Sequence, residues 1–181
     1  MKLFPILLFF CFSIFSNDIL KKNSPEVVTV KLGKVFKTDS FDSKNSEKEI
    51  ISLLQVLVDG TIQKNLNRLK YIVHPQKGIY LDLKGEWSYK NLLQELSKED
   101  SYFEIYFFNK EKLQKQKESL EVETVRELLL KTKGITADLF FEKDSSCEVK
   151  LKFNENKNRE FDLNNPYFIK IDGKWYLYRL F

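Results

Sequence analysis

The last fifteen residues constrain the fold more than any other part of the sequence. Asp172-Gly173 separates two runs rich in aromatic and branched residues, YFIKI before the pair and KWYLYRLF after it. An Asp-Gly pair in this position predicts a hairpin with a type I′ turn, in which both central residues have positive φ. The first run sets Tyr167, Ile169 and Ile171 against Phe168 and Lys170, and the second puts Trp175, Leu177 and Phe181 on one phase. A strand this apolar must be buried, so the rest of the chain has to cover it, and we expect Trp175 in the core.

Helical signals precede the strands. Ser46-x-x-Glu49 is a capping box, and the apolar residues that follow it recur at helical spacing. Asn65 is expected to cap a second, short helix that ends near Ile72, and Ser88 a third. The predicted buried positions of the first two helices are Ile50, Leu53, Leu54, Leu57, Val58, Ile62, Leu66, Leu69 and Ile72.

Alternating runs predict strands at residues 79–83, 102–108, 135–142 and 147–153. Lys and Glu occupy the outward phase, which favours an antiparallel sheet with one face in water. A second capping box, Thr124-x-x-Glu127, opens a short helix, while residues 109–118 read as a solvated loop or a frayed helix. The fold class is therefore α+β, with a single domain over residues 46–181. The polar segment 17–45 contains a short alternating stretch that is either an edge strand or part of a tether.

Composition agrees with one globular domain and argues against nucleic-acid binding. The 181 residues are 43% hydrophobic and 31% charged, and the net charge of +4 comes from 30 basic and 26 acidic residues. Lys and Glu are interspersed along the chain, which is typical of a solvated surface and not of a basic stripe.

The first sixteen residues, MKLFPILLFFCFSIFS, have the layout of a secretory signal peptide: one basic residue, an apolar run and small residues. The apolar run is shorter than the about 20 residues of a membrane-spanning helix. We expect cleavage after Ser13 or Ser16 and export to the periplasm or cell envelope, or secretion. Lipidation at Cys11 is the alternative, and only then would the chain be held to a membrane.

Cys147 would be the only cysteine left after removal of the leader. A single cysteine cannot form an intrachain disulfide, and Cys147 occupies the apolar phase of its predicted strand. We expect a buried, reduced and structural residue.

Two short stretches, Val73-His74-Pro75-Gln76-Lys77-Gly78-Ile79 and Asp172-Gly173-Lys174-Trp175-Tyr176-Leu177, resemble an uncharacterised family of exported bacterial proteins. The order of elements resembles the cone-shaped, cystatin-like fold of nuclear-transport-factor-like proteins. That resemblance implies a curved antiparallel sheet around N-terminal helices, ending in the hairpin. It implies no activity.

The chain contains few groups for catalysis. His74 is the only histidine, so multi-histidine metal sites are excluded, and no Gly-x-Ser-x-Gly elbow or phosphate-binding loop is present. We expect no cofactor and no metal. Asp82 and Glu104 lie on the polar phase of predicted strands, where they either face water or, with His74, provide an acid–base pair.

Two functions remain open. The first is a non-catalytic envelope protein that binds or assembles with an unknown protein partner or holds a small apolar ligand. Aromatic walls for such a ligand would come from Tyr80, Trp87, Tyr102 and Tyr106. The second is a small hydrolase or isomerase that uses Asp82 or Glu104 with His74 in a cone cavity.

Overall fold

A computed structural model describes residues 27–81 and 84–181 of the chain. The described part is α+β. Its strands are β1 (Val30–Lys37), β2 (Ile79–Leu81), β3 (Gly85–Trp87), β4 (Ile135–Lys143), β5 (Ser146–Phe153), β6 (Tyr167–Ile171) and β7 (Lys174–Arg179). Its α-helices are α1 (Lys44–Ile62), α2 (Leu69–Ile72), α3 (Tyr89–Leu96), α4 (Lys110–Lys117) and α5 (Val125–Thr132), with a π-helical turn at Glu104–Phe108 and a 3₁₀ segment at Lys157–Asp162. The predicted leader, Cys11 and Asp82 lie outside the described residues.

The seven strands form one open, mixed sheet in the order β1-β4-β5-β6-β7-β2-β3. β1 pairs with β4 and β2 with β7 in parallel, whereas the other neighbours are antiparallel. The expected all-antiparallel sheet is therefore wrong at two junctions. Both junctions join strands that are far apart in the chain, and alternation within one strand carries no information about the direction of a distant neighbour.

Residues 30–37 form the edge strand β1 and not a tether. Its pairing with β4 is irregular between Leu32 and Val35. At this bulge the Asp138 carboxylate of β4 accepts the Lys34 N–H at 2.8 Å. A Cβ on Gly33 would lie 2.1 Å from the same carboxylate oxygen, so only glycine allows this close approach.

Helix α1 packs on the inner face of the sheet, against β1 and β7. It begins at Lys44, one turn before the predicted capping box, and Ser46 is buried inside its first turn. The predicted box is wrong because Glu49 has a tertiary partner: its carboxylate accepts the backbone N–H of Trp175 at 3.0 Å. Most of the apolar stripe is confirmed, although Leu53 is only partly buried. The buried members are Ile50, Leu54, Leu57, Val58, Ile62, Leu66, Leu69 and Ile72.

The β6–β7 pair encloses the Asp172-Gly173 turn, where φ is +50° and +80°. Positive φ at both residues is what a type I′ turn requires. Trp175 is fully buried, with its ring edge-on to Phe141 at a centroid distance of 5.9 Å. Cys147 is also fully buried and unpaired, and burial raises the pKa of its thiol to about 12.

The largest local correction concerns residues 102–108, which are helical and not a strand. Ser101 is buried, and its hydroxyl accepts the Glu104 N–H at 3.0 Å at the start of the helix. The next turn is π-helical, closed by a bond of 2.8 Å from the Asn109 N–H to the Glu104 carbonyl. Phe103 and Phe107, four residues apart, are both buried, as in a helix.

The two segments that follow are helical as well. Residues 110–117 form α4, whose first turn is capped by the Asn109 side chain. The predicted capping box at Thr124 and Glu127 is confirmed, with both reciprocal bonds present at the start of α5. Within the described residues, no helix has the length and apolar character needed to cross a membrane.

Candidate functional site: an aromatic cleft

His74 is buried between the turn that follows α2 and strand β7. Its Nδ1 accepts the Gln76 N–H at 3.2 Å, and its ring packs edge-on against Tyr176 at a centroid distance of 4.8 Å. Among the described residues, no carboxylate forms a hydrogen bond or an ion pair with His74. These contacts fix the imidazole in the turn.

Glu104 lies on the π-helical turn, where its carboxylate accepts a bond of 3.3 Å from the Asn109 amide. It lines a polar cleft of about 650 Å³ beside the loop that follows α1. Lys112 in the same cleft pairs with Asp100 at 2.7 Å, and that hydrogen bond lowers the pKa of the Asp100 carboxyl. Lys64, Lys98 and Glu99 also line this cleft, so its described part is a charged, solvated surface. Asp82, the other proposed carboxylate, lies outside the described residues.

The structure brings three of the four predicted aromatic residues together. Tyr102 stacks on Tyr106 at 4.7 Å and meets Trp87 edge-on at 5.7 Å. The fourth, Tyr80, is on the opposite face of the sheet, because it pairs with Glu86 while the buried Ile79 pairs with Trp87. The predicted set is therefore split between two surfaces.

Tyr102 and Tyr106 form one wall of a cleft of about 320 Å³, which we call the aromatic cleft. The helical segment that begins at Tyr102 provides this wall, α4 and α5 provide the sides, and the chain terminus closes the base. The base is apolar, with Phe107 and Phe181 at a ring distance of 6.4 Å, whereas the exposed lining as a whole is polar and apolar in about equal parts. Other apolar lining residues are Leu113, Val122, Val125, Leu128 and Leu163.

The rim of the cleft carries charged side chains, most of which are paired. Arg159 pairs with Glu123 at 3.1 Å and also with Asp162. Hydrogen bonding to Asp162 raises the pKa of Arg159. Lys117 has no ion pair among the described residues and lies 5.6 Å from the centroid of the Tyr106 ring. Glu121 also lines the cleft and, among the described residues, has no ion pair. The rim thus offers one ammonium group and one carboxylate without an ion-pair partner.

This arrangement suits binding better than proton transfer. The cleft has the size of a small-ligand site and an apolar base, and a π-helical turn, a feature that often accompanies functional sites, shapes one wall. Sequence reasoning missed Lys117 and Phe181 as lining residues. The signal available for the wall was Ser101-x-x-Glu104, a capping-box pattern that predicts a helix where the alternation of apolar residues favoured a strand.

Among the described residues, no group of three or more His, Cys, Asp or Glu side chains is placed to hold a metal ion. Comparison with known proteins adds no relative: no family model matches the chain, and no curated protein or solved structure matches it significantly.

Proposed function

We propose that this chain is a non-catalytic binding protein that holds a small apolar ligand with an anionic head group in the aromatic cleft. The observation that carries the proposal is the pairing of an apolar base with Lys117 at the rim. An aliphatic chain of moderate length would bury its surface against Phe107, Leu128 and Phe181. A carboxylate at its end would meet the Lys117 ammonium.

Binding of laurate tests the proposal. Titration followed by calorimetry should show saturable binding with one site per chain. Lys117→Gln should weaken laurate binding several-fold and leave dodecanol, which lacks the charge, unaffected. Leu128→Trp, which fills the cleft, should weaken both ligands. Tyr71→Ala is the matched control, because Tyr71 is 67% exposed and does not line the cleft.

Two results would contradict the ligand proposal. The first is the absence of saturable laurate binding. The second is binding that Leu128→Trp leaves unchanged in a variant that melts like the parent. If the occupant is instead a protein partner, laurate should show no saturable binding, and Tyr106→Ala should impair formation of the complex.

Catalysis is the weaker proposal. The contacts of His74 to Gln76 and Tyr176 favour a structural role, and Glu104 is bonded to Asn109. If a hydrolase or isomerase used these groups, His74→Ala would abolish turnover of its substrate. We expect His74→Ala to impair stability instead and to leave laurate binding intact.

We further propose that the protein is exported to the envelope after its leader is cleaved behind Ser13 or Ser16. The basic, apolar and small-residue order of these positions supports this proposal. The intact mass of protein from its native host should correspond to a chain that starts at Ile14 or Asn17. A mass that includes Met1 would contradict export with cleavage, and a diacylglyceryl group on Cys11 would establish the lipoprotein alternative.

The finer form of the fold proposal is a cone-like arrangement related to the nuclear-transport-factor-like proteins. Its support is the packing of α1 on the inner face of an open sheet and the aromatic cleft beside that helix layer. An experimental structure with a flat sheet and a closed cleft would contradict it.

A further inference from the structure

A row of four side chains crosses the outer face of the sheet, the face opposite α1. Tyr167 of β6 pairs with Arg179 of β7, Arg179 pairs with Tyr80 of β2, and Tyr80 pairs with Glu86 of β3. Residues directly opposite each other on neighbouring strands share a face. Register alone therefore sets these four side chains side by side.

A bulge in β7 adds a fifth side chain to the row. Arg179 pairs with Tyr167, but Leu177 pairs with Phe168, so Tyr178 is an extra residue in the ladder. Tyr178 and Arg179 are both half-exposed, whereas Leu177 and Leu180 are buried. The bulge thus turns two consecutive side chains to the outer face, a use of bulges that is common near binding sites.

Arg179 is held in a defined orientation. Its Nε donates to the Asn165 carbonyl at 2.9 Å, and Nη2 donates to Glu148 at 2.9 Å. The guanidinium lies 5.6 Å from the centroid of the Tyr167 ring. Nη1 has no hydrogen-bond partner among the described residues, and the side chain is 29% exposed. A planar donor is therefore positioned in advance with part of its hydrogen-bonding capacity available.

Tyr80, Glu86, Tyr167, Tyr178 and Arg179 line a shallow depression of about 490 Å³, which we call the outer recess. The Tyr178 hydroxyl donates to Glu86 at 2.7 Å. That hydrogen bond, together with burial, raises the pKa of Tyr178. One acid and one base line the recess, and each has a partner within the protein.

We infer that the outer recess binds a neutral saccharide. Glu86 and Arg179 are the charged residues that line the recess, so the formal charges of its lining sum to zero, which argues against a simple anion or cation as ligand. The rings of Tyr80 and Tyr178 offer apolar faces that can stack on the C–H face of a sugar ring, whereas Arg179 already lies over the Tyr167 ring. Arg179 and Glu86 offer donors and acceptors at the edge of those rings for hydroxyl groups. This combination of aromatic faces and planar polar groups matches the alternating apolar and polar surface of a pyranose.

The inference is independent of the proposed laurate site. The aromatic cleft is built from the helical segment at Tyr102, α4 and α5, and it shares no lining residue with the outer recess. A variant of one site is therefore a control for the other. Tyr106→Ala should leave saccharide binding unchanged, and Tyr80→Ala should leave laurate binding unchanged.

A glycan array that presents neutral, sialylated and sulfated oligosaccharides provides the probe, with saturation-transfer NMR on each glycan bound. We expect neutral glycans to bind and their ring C–H protons to receive the strongest transfer. Tyr80→Ala and Arg179→Lys should each weaken binding at least ten-fold, the first by removing a stacking face and the second by removing the planar fork. Tyr71→Ala is the exposed tyrosine control and should bind like the parent.

Each alternative outcome overturns the inference. No glycan bound by the folded parent protein would reject a saccharide site, and binding restricted to sialylated or sulfated glycans would reject the neutral ligand. Binding that survives both Tyr80→Ala and Arg179→Lys would place the site elsewhere. Thermal melts of all variants exclude unfolding as the cause of a loss, and Tyr80→Phe, which keeps the stacking face, should restore most of the affinity.

Discussion

Truncation of Trp175 to alanine should remove a large part of the stability of this fold. The side chain is fully buried and packs edge-on against Phe141, and the backbone N–H of Trp175 donates to the Glu49 carboxylate. A buried tryptophan removes about 150–250 Å² from water. At about 25 cal/mol per Å² this amounts to about 4–6 kcal/mol.

One feature lowers the expected cost. The indole Nε1 of Trp175 is buried and has no hydrogen-bond partner among the described residues. An unpaired buried donor costs about 1–3 kcal/mol, which the truncation recovers. We therefore expect Trp175→Ala to lower the free energy of unfolding by about 3 kcal/mol, at the lower end of the range for Trp→Ala in cores.

Urea unfolding followed by far-UV circular dichroism measures this effect. With a slope of about 2 kcal/mol per molar urea, the midpoint should fall by about 1.5 M. Trp175→Phe keeps an aromatic ring and removes the unpaired donor, so its midpoint should fall by less than half as much. Trp87→Ala is the matched control, and its midpoint should fall by less than that of Trp175→Ala, since Trp87 is only partly buried. A midpoint for Trp175→Ala equal to that of the parent would refute the reasoning and make Trp175 a candidate contact residue.

Three further predictions follow from single residues. Cys147 should resist iodoacetamide at pH 8 in the native protein and react in urea. Because its folded pKa of about 12 exceeds the unfolded value, the unfolded state binds fewer protons above about pH 9. The free energy of unfolding should therefore fall between about pH 9 and 12, and Cys147→Ala should lack that fall. Gly173→Val should cost about 1–2 kcal/mol in a thermal melt because φ is +80°, whereas equal melting of Gly173→Val and the parent would exclude a strained turn. Burial raises the pKa of Asp138, but hydrogen bonds from Lys152 and Lys34 outweigh burial, so the pKa is lowered. The stabilisation by Asp138 should therefore be present above about pH 4 and be lost on acidification. If Asp138→Asn loses stability in acid with the same pH dependence as the parent, this prediction is wrong.

The local features were readable from the sequence because they depend on neighbours in the chain. Asp172-Gly173 predicted a turn with two positive φ values, and Thr124-x-x-Glu127 predicted the start of α5. Burial of Cys147 followed from its apolar phase in a strand with strict alternation. In each case a few adjacent side chains and the backbone angles they prefer determine the outcome.

Part of the candidate site was also readable, although for the wrong structural reason. Tyr102 and Tyr106 were expected to form an aromatic wall from alternate positions of a strand, and they do line the aromatic cleft, but from one face of a helix four residues apart. The sequence of residues 102–108, YFEIYFF, fits both the alternation of a strand and the spacing of a helix. Burial of Phe103 and Phe107 in the helix layer, together with the Ser101 cap, selected the helix.

Only the tertiary structure determines the contacts between segments that are distant in the chain. Glu49 was read as half of a local capping box, yet its carboxylate binds the N–H of Trp175. Tyr80 was grouped with Tyr102, yet the pairing of β2 with β7 sets it beside Arg179 on the opposite face. Strand direction, register and partner are chosen by the burial and hydrogen bonding of the whole sheet, and residues far apart in the chain contribute to that balance equally with near ones.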